Sequence, residues 1–203
     1  TLSVMEIAIP FINVTNGGTL SIDASTATIA ELTQSGRMTL NVYQDDLEFQ
    51  TCLDLSNAIV NLNGNTISTP DLTLSNSVSF QDGLVQTDAL HLKSATITGC
   101  TIQCSGDMDA SGSSTLTSLA MVGGDPQKIT GSFTTGELLL QKTGSHRIES
   151  GNSITVTGIL SDPKDIVSGG IILTETAQIS GNTIASDLTL KKTTISVPVQ
   201  YKP

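Results

Sequence analysis

The feature that most constrains the fold of this chain is a short phrase written more than once. Gly64-Asn65-Thr66-Ile67 returns as Gly151-Asn152-Ser153-Ile154 and as Gly181-Asn182-Thr183-Ile184, and, with Cys for Asn, as Gly99-Cys100-Thr101-Ile102. From Gly64 to Gly99, to Gly151 and to Gly181, the intervals approximate two, three and two units of roughly 15 to 18 residues, the size of one coil in a stacked repeat. The flanks share the register, since Ala95-Thr96-Ile97-Thr98 precedes one copy and Ala177-Gln178-Ile179-Ser180 another. A second element, Leu-x-Leu, starts at Leu53, Leu72 and Leu90, at a nearly constant interval. Strands of a sandwich have no reason to hold such a rhythm, whereas each coil of a solenoid must match the coil beneath it.

Local patterning agrees. Thr19-Leu20-Ser21-Ile22, Thr39-Leu40-Asn41-Val42, Leu72-Thr73-Leu74, Leu90-His91-Leu92 and Leu188-Thr189-Leu190 alternate apolar with polar residues, and each is soon followed by Gly, Asn, Asp or Ser. That is the period of a short strand with one buried face. No window carries the period and capped start of a helix. Aromatics are 3% of the chain and Trp is absent, so the core must be made of Leu, Ile and Val. Stacking a coil ~4.8 Å above the last supplies the burial that one coil cannot give itself. The expected fold is therefore all-β: a parallel β-solenoid (β-helix), or an intertwined trimeric β-prism of short coils, with a β-sandwich as the alternative. Gly and Asn at the corners supply the left-handed backbone that other residues resist. Asn65, Asn152 and Asn182, at equivalent corners, would hydrogen-bond up the stack.

Two domains are expected. Residues 1–16 contain an apolar run from Val4 to Val14 with Pro10 inside it, and they fit the repeat poorly. They read as an N-terminal cap or as a strand exchanged with a neighbour, either of which would blunt an open solenoid end. Residues 17–203 form the repetitive domain. Gly123-Gly124-Asp125-Pro126 and Ser161-Asp162-Pro163-Lys164-Asp165 read as loops leaving the stack, because Pro cannot donate to a ladder. The stretch 105–114 reads as a third loop. With Thr1 first and Met5 the first methionine, the chain reads as a processed product or a fragment.

Charge removes some partners. With 19 acidic against 9 basic residues the net charge is −10, which repels phosphate backbones and anionic membrane surfaces. No apolar run reaches the ~20 residues of a membrane-spanning helix. Nucleic-acid binding and membrane insertion are accordingly not expected.

Candidate chemistry is sparse. Asp107-Met108-Asp109-Ala110-Ser111-Gly112 matches the opening of a calcium loop, but the twelfth position, where a bidentate Glu belongs, is Ser118. A solvated turn is the better reading. Asp45-Asp46-Leu47-Glu48 supplies paired carboxylates, the raw material of glycosidic acid–base chemistry. Its companions are missing: His91 and His146 are not flanked by glycine, and the only arginines are Arg37 and Arg147. An exposed acidic turn is the simpler account. No nucleophile elbow and no glycine-rich phosphate cradle is present. Cys52, Cys100 and Cys104 give neither a disulfide framework nor a zinc signature, and read as free, wholly or partly buried thiols. Thr96-Ile97-Thr98 and Thr155-Val156-Thr157 are pairs of the kind that ice-binding solenoids array in ranks, but they do not recur coil after coil along the sequence. Asn13-Val14-Thr15 is a glycosylation sequon. No catalytic, cofactor-binding or metal-binding residue is assigned, and no cofactor is expected.

Short Thr-, Ser- and Asn-rich strands, the repeated Gly-x-Thr-Ile elements and the scarcity of aromatics resemble the β-helical shafts of virion fibres, phage tail fibres above all. They are similar, less closely, to the stalks of bacterial surface adhesins. The likeness runs from about Gly17 to Val197 and is one of texture, so it transfers no functional residue. It implies a non-enzymatic structural fibre, shaft or surface-attachment protein, extracellular or on a virion surface. It also implies a homo-oligomer, as trimer or filament, and a host-surface glycan or receptor as partner. A carbohydrate-active β-helix enzyme using Asp45, Asp46 or Asp107 is one alternative. A β-sandwich subunit of a donor-strand-linked extracellular filament is another.

Overall fold

The computed structural model describes residues 2–4, 7–15, 17–24, 27–141, 146–149 and 152–161, followed by the short segments 170–173, 178–180, 183–184, 188–190 and 200–201. Among these there is no helix, and every strand pairing is parallel. The chain winds as a β-solenoid of about seven turns. One chain closes its own core, so the solenoid, rather than a prism shared among three chains, is the architecture. Parallel pairing throughout removes the sandwich.

Register sets the coil length. The offset between partners is shortest where Thr101 meets Ser118 and longest where Glu137 meets Ile159. A coil therefore takes roughly 20 residues, more than the glycine spacing leads one to expect. The shorter unit came from dividing an interval that does not join equivalent positions. Ile67 and Ile102 do share a face, but Ile154 pairs with Phe133, which lies on another. The expected common register of the flanks fails in the same way. Ile97 stacks between Val78 and Leu116, whereas Ile179 pairs with Leu160. Gly151, Gly181 and Asn182, and the expected loop at 162–165, lie outside the described residues.

Each turn divides into three segments. In the strand Leu47–Asn61 the breaks show as register shifts between Glu48 and Leu53 and between Ser56 and Ala58. Alternation then points one residue in two inward, and the inward residues stack in columns. On the first face, here the groove face, Leu47, Ile67 and Val85 align, and above them Ile102, Leu119, Leu138 and Leu160. On the second, the leucine face, the column is Leu32, Leu53, Leu72, Leu90, Met108, Ile129 and Ile148. On the third, the threonine face, it is Met38, Ala58, Val78, Ile97, Leu116, Thr135 and Val156. All of these are buried, and Leu53, Leu72 and Leu90 have no exposed surface. Each large aliphatic so buried contributes about 1.5–3 kcal/mol. This explains a core with so few aromatics. The Leu-x-Leu rhythm seen in the sequence is this second face.

The corner after the leucine face keeps one conformation from Gly17 to Gly131, although its length changes from coil to coil. Gly17, Gly36, Asn57, Asn76, Ser94, Gly112 and Gly131 each adopt positive φ there, between 50° and 84°. A single left-handed residue turns the chain from one face to the next, and Gly or Asn does so at least cost. The corner after the threonine face is variable. Four residues, 62–65, separate the paired positions Asn61 and Thr66, and only Asp82 and Gly83 separate their partners Gln81 and Leu84. One coil further on, the strand Leu84–Cys104 runs through without a break. There Gly99 lies so close to the coil below that a Cβ would collide with the Phe80 carbonyl oxygen.

Asn residues do climb the stack, though not at the expected positions. Asn61 Nδ2 donates to Asn41 Oδ1 at 2.6 Å, and Asn41 Nδ2 to Ser21 Oγ at 3.2 Å. Asn65 instead donates to the Val42 carbonyl at 3.4 Å. The backbone N–H of Asn152 bonds the Glu149 carbonyl. The N-terminal segments Leu2–Val4 and Ile7–Thr15 pair in parallel with Ile22–Ala24 and Ala27–Ser35, with Pro10 exposed. The expected loop at 105–114 contains a strand, Met108–Ser111, whose Met108 is a core rung. The loop at 123–126 is present and exposed, and buried Gln127 supports it by donating to the Cys104 and Val122 carbonyls at 2.9 and 3.3 Å.

Candidate functional surfaces

The outward residues of the groove face line a depression of about 330 Å³ crossing several coils. Its wall follows register: Glu48, Ser68 and Gln86 are partners, and Gln86 Nε2 donates to Gln103 Oε1 at 3.0 Å in the next coil. Along its edge Ser105 Oγ donates to Asp88 Oδ1 at 2.7 Å. The floor is Phe49 with Thr69 and Thr87, whose hydroxyls turn back to the Asp71 and Ala89 carbonyls at 2.8 and 2.7 Å. Cys104 occupies the next place in that column and makes the same backward contact, Sγ to the Gly106 carbonyl at 3.4 Å. A row of one carboxylate, one hydroxyl and two amides, each a coil from the next, suits an extended, hydroxyl-bearing ligand lying along the stack. No sequence motif announces it, because its members come from successive coils.

The residues singled out in the sequence do not converge. Asp45 and Asp46 stand at an exposed corner, where Asp45 Oδ1 accepts the Asp46 N–H at 2.8 Å and Asp46 Oδ1 accepts the Thr66 N–H at 2.6 Å. The pair caps the start of the strand above. Asp107 does the same work elsewhere, accepting the Lys128 N–H at 2.8 Å. From Asp107 to Ser111 the chain does not wrap a central cation. Met108 points inward, Asp109 points outward to hydrogen-bond His91, and Ser111 Oγ donates to the Leu92 carbonyl at 3.4 Å. Among the described residues no cluster of His, Cys, Asp and Glu has the arrangement of a metal site. His91 sits between two coils' carboxylates, with Nδ1 toward Asp109 and Nε2 3.4 Å from Asp71. Lys128 Nζ and Glu149 Oε1, at 2.9 Å, form a second such tie. These pairs join coils on the outside of the leucine face. Arg37 is exposed at the constant corner. The side chains of His146 and Arg147 lie outside the described residues.

None of the three cysteines is disulfide-bonded; Cys104 is buried and Cys52 and Cys100 are half-buried. Burial pushes the Cys100 thiol up to about 11, against a small opposing effect of its backbone hydrogen bond. It is held as the neutral thiol, the opposite of an activated nucleophile.

The threonine face corrects the reading of the Thr-x-Thr pairs. Ser77, Thr96, Thr115, Thr134 and Thr155 are successive register partners, so threonines do recur coil after coil once the chain is wound. The sequence signal is Thr-x-Thr at 96, 115 and 155, broken at 134 where Thr135 turns inward and Gly136 follows. A broad recess of about 860 Å³ runs beside this array, lined by Thr98, Thr101, Thr117 and Ser118 among others. Thr101 Oγ1 donates there to Ser118 Oγ at 3.0 Å.

No family model, no curated protein and no solved structure matches this chain.

Proposed function

We propose that the chain is a non-enzymatic structural protein, a shaft or surface-attachment element of a virion or cell surface, acting outside the cell. The observation that carries this reading is the unbroken set of three interior columns from the lower coils to Leu160. A polypeptide devoted to stacking, with its carboxylates spent on capping backbone N–H groups and tying coil to coil, is suited to resisting force and proteolysis. Copies would associate end to end. About seven turns at ~4.8 Å each rise about 34 Å, and copies stacked end to end would extend that rise. A surface glycan is the partner that fits the groove of Glu48, Ser68, Gln86 and Gln103.

Negative-stain microscopy with circular dichroism tests the reading. Rods or filaments longer than one solenoid, with strand and no helix signal, are expected. A compact monomer at every concentration would sink it. The enzyme alternative has its own assay: cleavage of acidic polysaccharides that is lost in Asp45→Asn/Asp46→Asn would replace the structural proposal.

A further inference from the structure

We infer that the threonine face binds crystalline ice, or water ordered as ice, through a two-column grid of threonines. The first column is Ser77, Thr96, Thr115, Thr134 and Thr155, each the register partner of the last. The second lies two residues further along each strand. Ser79 pairs with Thr98 there, Thr117 and Thr157 take the same place beside Leu116 and Val156, and Gly136 leaves one place between them without a side chain. The interval along the stack is ~4.8 Å and along the strand, over two residues, ~6.7 Å. Ice repeats its oxygen positions on a prism face at nearly these two intervals.

The grid is held stiffly. Threonine is restricted about χ1. Two hydroxyls in the second column are anchored on the coil below, Thr117 Oγ1 donating to the Ile97 carbonyl at 3.4 Å and Thr157 Oγ1 to the Thr135 carbonyl at 3.3 Å. The buried Val78, Ile97, Leu116, Thr135 and Val156 fix the backbone from behind. Each anchored threonine then shows water a methyl and an oxygen in a repeated geometry.

Charge distinguishes the two columns from the leucine face, while Asp82 and Glu137 line the recess along one edge of the grid. Neither column of the grid holds an ionisable side chain, in a chain whose net charge is −10. The same coils present Asp71, His91, Asp109 and Lys128 on the leucine face. Charged groups orient water around themselves and oppose a lattice, whereas spaced methyls and hydroxyls template one. The grid also lacks the aromatic or arginine anchors on which protein interfaces depend. That disfavours a second protein as the occupant.

The test is partition of the purified full chain into slowly grown ice, with thermal hysteresis as a second readout. The wild type should be enriched in the ice fraction. Thr115→Lys/Thr117→Lys should cut that enrichment by about tenfold or more. Thr73→Lys, on the leucine face, should leave it unchanged, and circular dichroism should show all three folded. Thr115→Val, which keeps the methyl and the shape, guards against misfolding of the lysine variant and should retain most of the enrichment. Exclusion of the wild type from ice overturns the inference. So does equal loss in Thr73→Lys, or light scattering that shows the face buried in a dimer that Thr115→Lys/Thr117→Lys dissolves. None of these outcomes bears on whether the chain forms rods.

Discussion

Two corners of this solenoid solve the same problem differently. After the leucine face, one left-handed residue turns the chain in each of the coils from Gly17 to Gly131. After the threonine face the turn takes four residues at 62–65, two at 82–83, and none in the strand Leu84–Cys104. The first corner is constant in conformation, not in length: Asn76 alone separates Ser75 from Ser77, Ser94 and Ala95 separate their partners Lys93 and Thr96, and residues 112–114 separate Ser111 from Thr115. The second corner is constant in neither. The columns keep stacking through both, so the spacing along the chain drifts while the left-handed turn stays in its place.

The sharpest way to break this comparison is insertion. One glycine added after Asn76 disturbs the single left-handed turn that the neighbouring coils share, and any slip not taken up there turns Val78 and Phe80 outward. The expected loss is about 4 kcal/mol or more, or no folded protein. One glycine added after Gly64, where the space around a side chain is open, should cost about 1 kcal/mol. Urea midpoints of the two variants decide the matter, and equal losses would mean that the corners are not different.

Next in size is the tightest point of the variable corner. Gly99 has φ +102°, and a Cβ would collide with the Phe80 carbonyl. Gly99→Ala should cost about 3 kcal/mol, measured in the same denaturation. At the constant corner conformation outweighs the exposed hydrogen bond that Asn76 Nδ2 donates to Ser56 Oγ at 2.8 Å. Asn76→Val should lose about 1–2 kcal/mol, while Asn76→Gly should be near neutral. The ladder that ties lower coils together is worth less. Asn41→Ala removes two side-chain bonds from a half-buried position and should cost about 1 kcal/mol.

The smallest effect is chemical. Cys100 sits in the run-through corner with its thiol raised to about 11, so its pKa is elevated only in the folded state. Its contribution is complete below the ordinary thiol range near 9 and fades as pH rises toward 11. At pH 8, Cys100 should react with iodoacetamide more slowly than an unfolded-chain cysteine, read by mass spectrometry. The difference should vanish in urea.

The stacking of faces also explains what the sequence could disclose. Leu53, Leu72 and Leu90 announced their face because they are successive rungs of one column, each a full coil from the next and each followed two residues on by a second inward leucine. Gly64-Asn65-Thr66-Ile67 and Gly151-Asn152-Ser153-Ile154 misled because Ile67 and Ile154, which end the two words, lie on different faces. The threonine ranks were hidden because Gly136 interrupts one rank, and Thr135 spends its hydroxyl on the Glu137 carbonyl at 2.7 Å, inside the core. The groove could not be read at all, since Glu48, Ser68, Gln86 and Gln103 come together only after the coils are wound. Asp46 and Asp107, which looked like chemistry, are backbone caps, a role that composition cannot separate from catalysis.

The central claim is the winding itself, with each coil registered on the next through the leucine face. Methyl-labelled NMR on Leu, Ile and Val tests it most directly, because through-space contacts report which side chains touch. Leu72 methyls should show strong cross-peaks to Leu53 below and Leu90 above, each one coil away, and none should join Leu53 to Leu90. Contacts from Leu72 to aliphatics unrelated by one coil, without those two partners, would contradict the account.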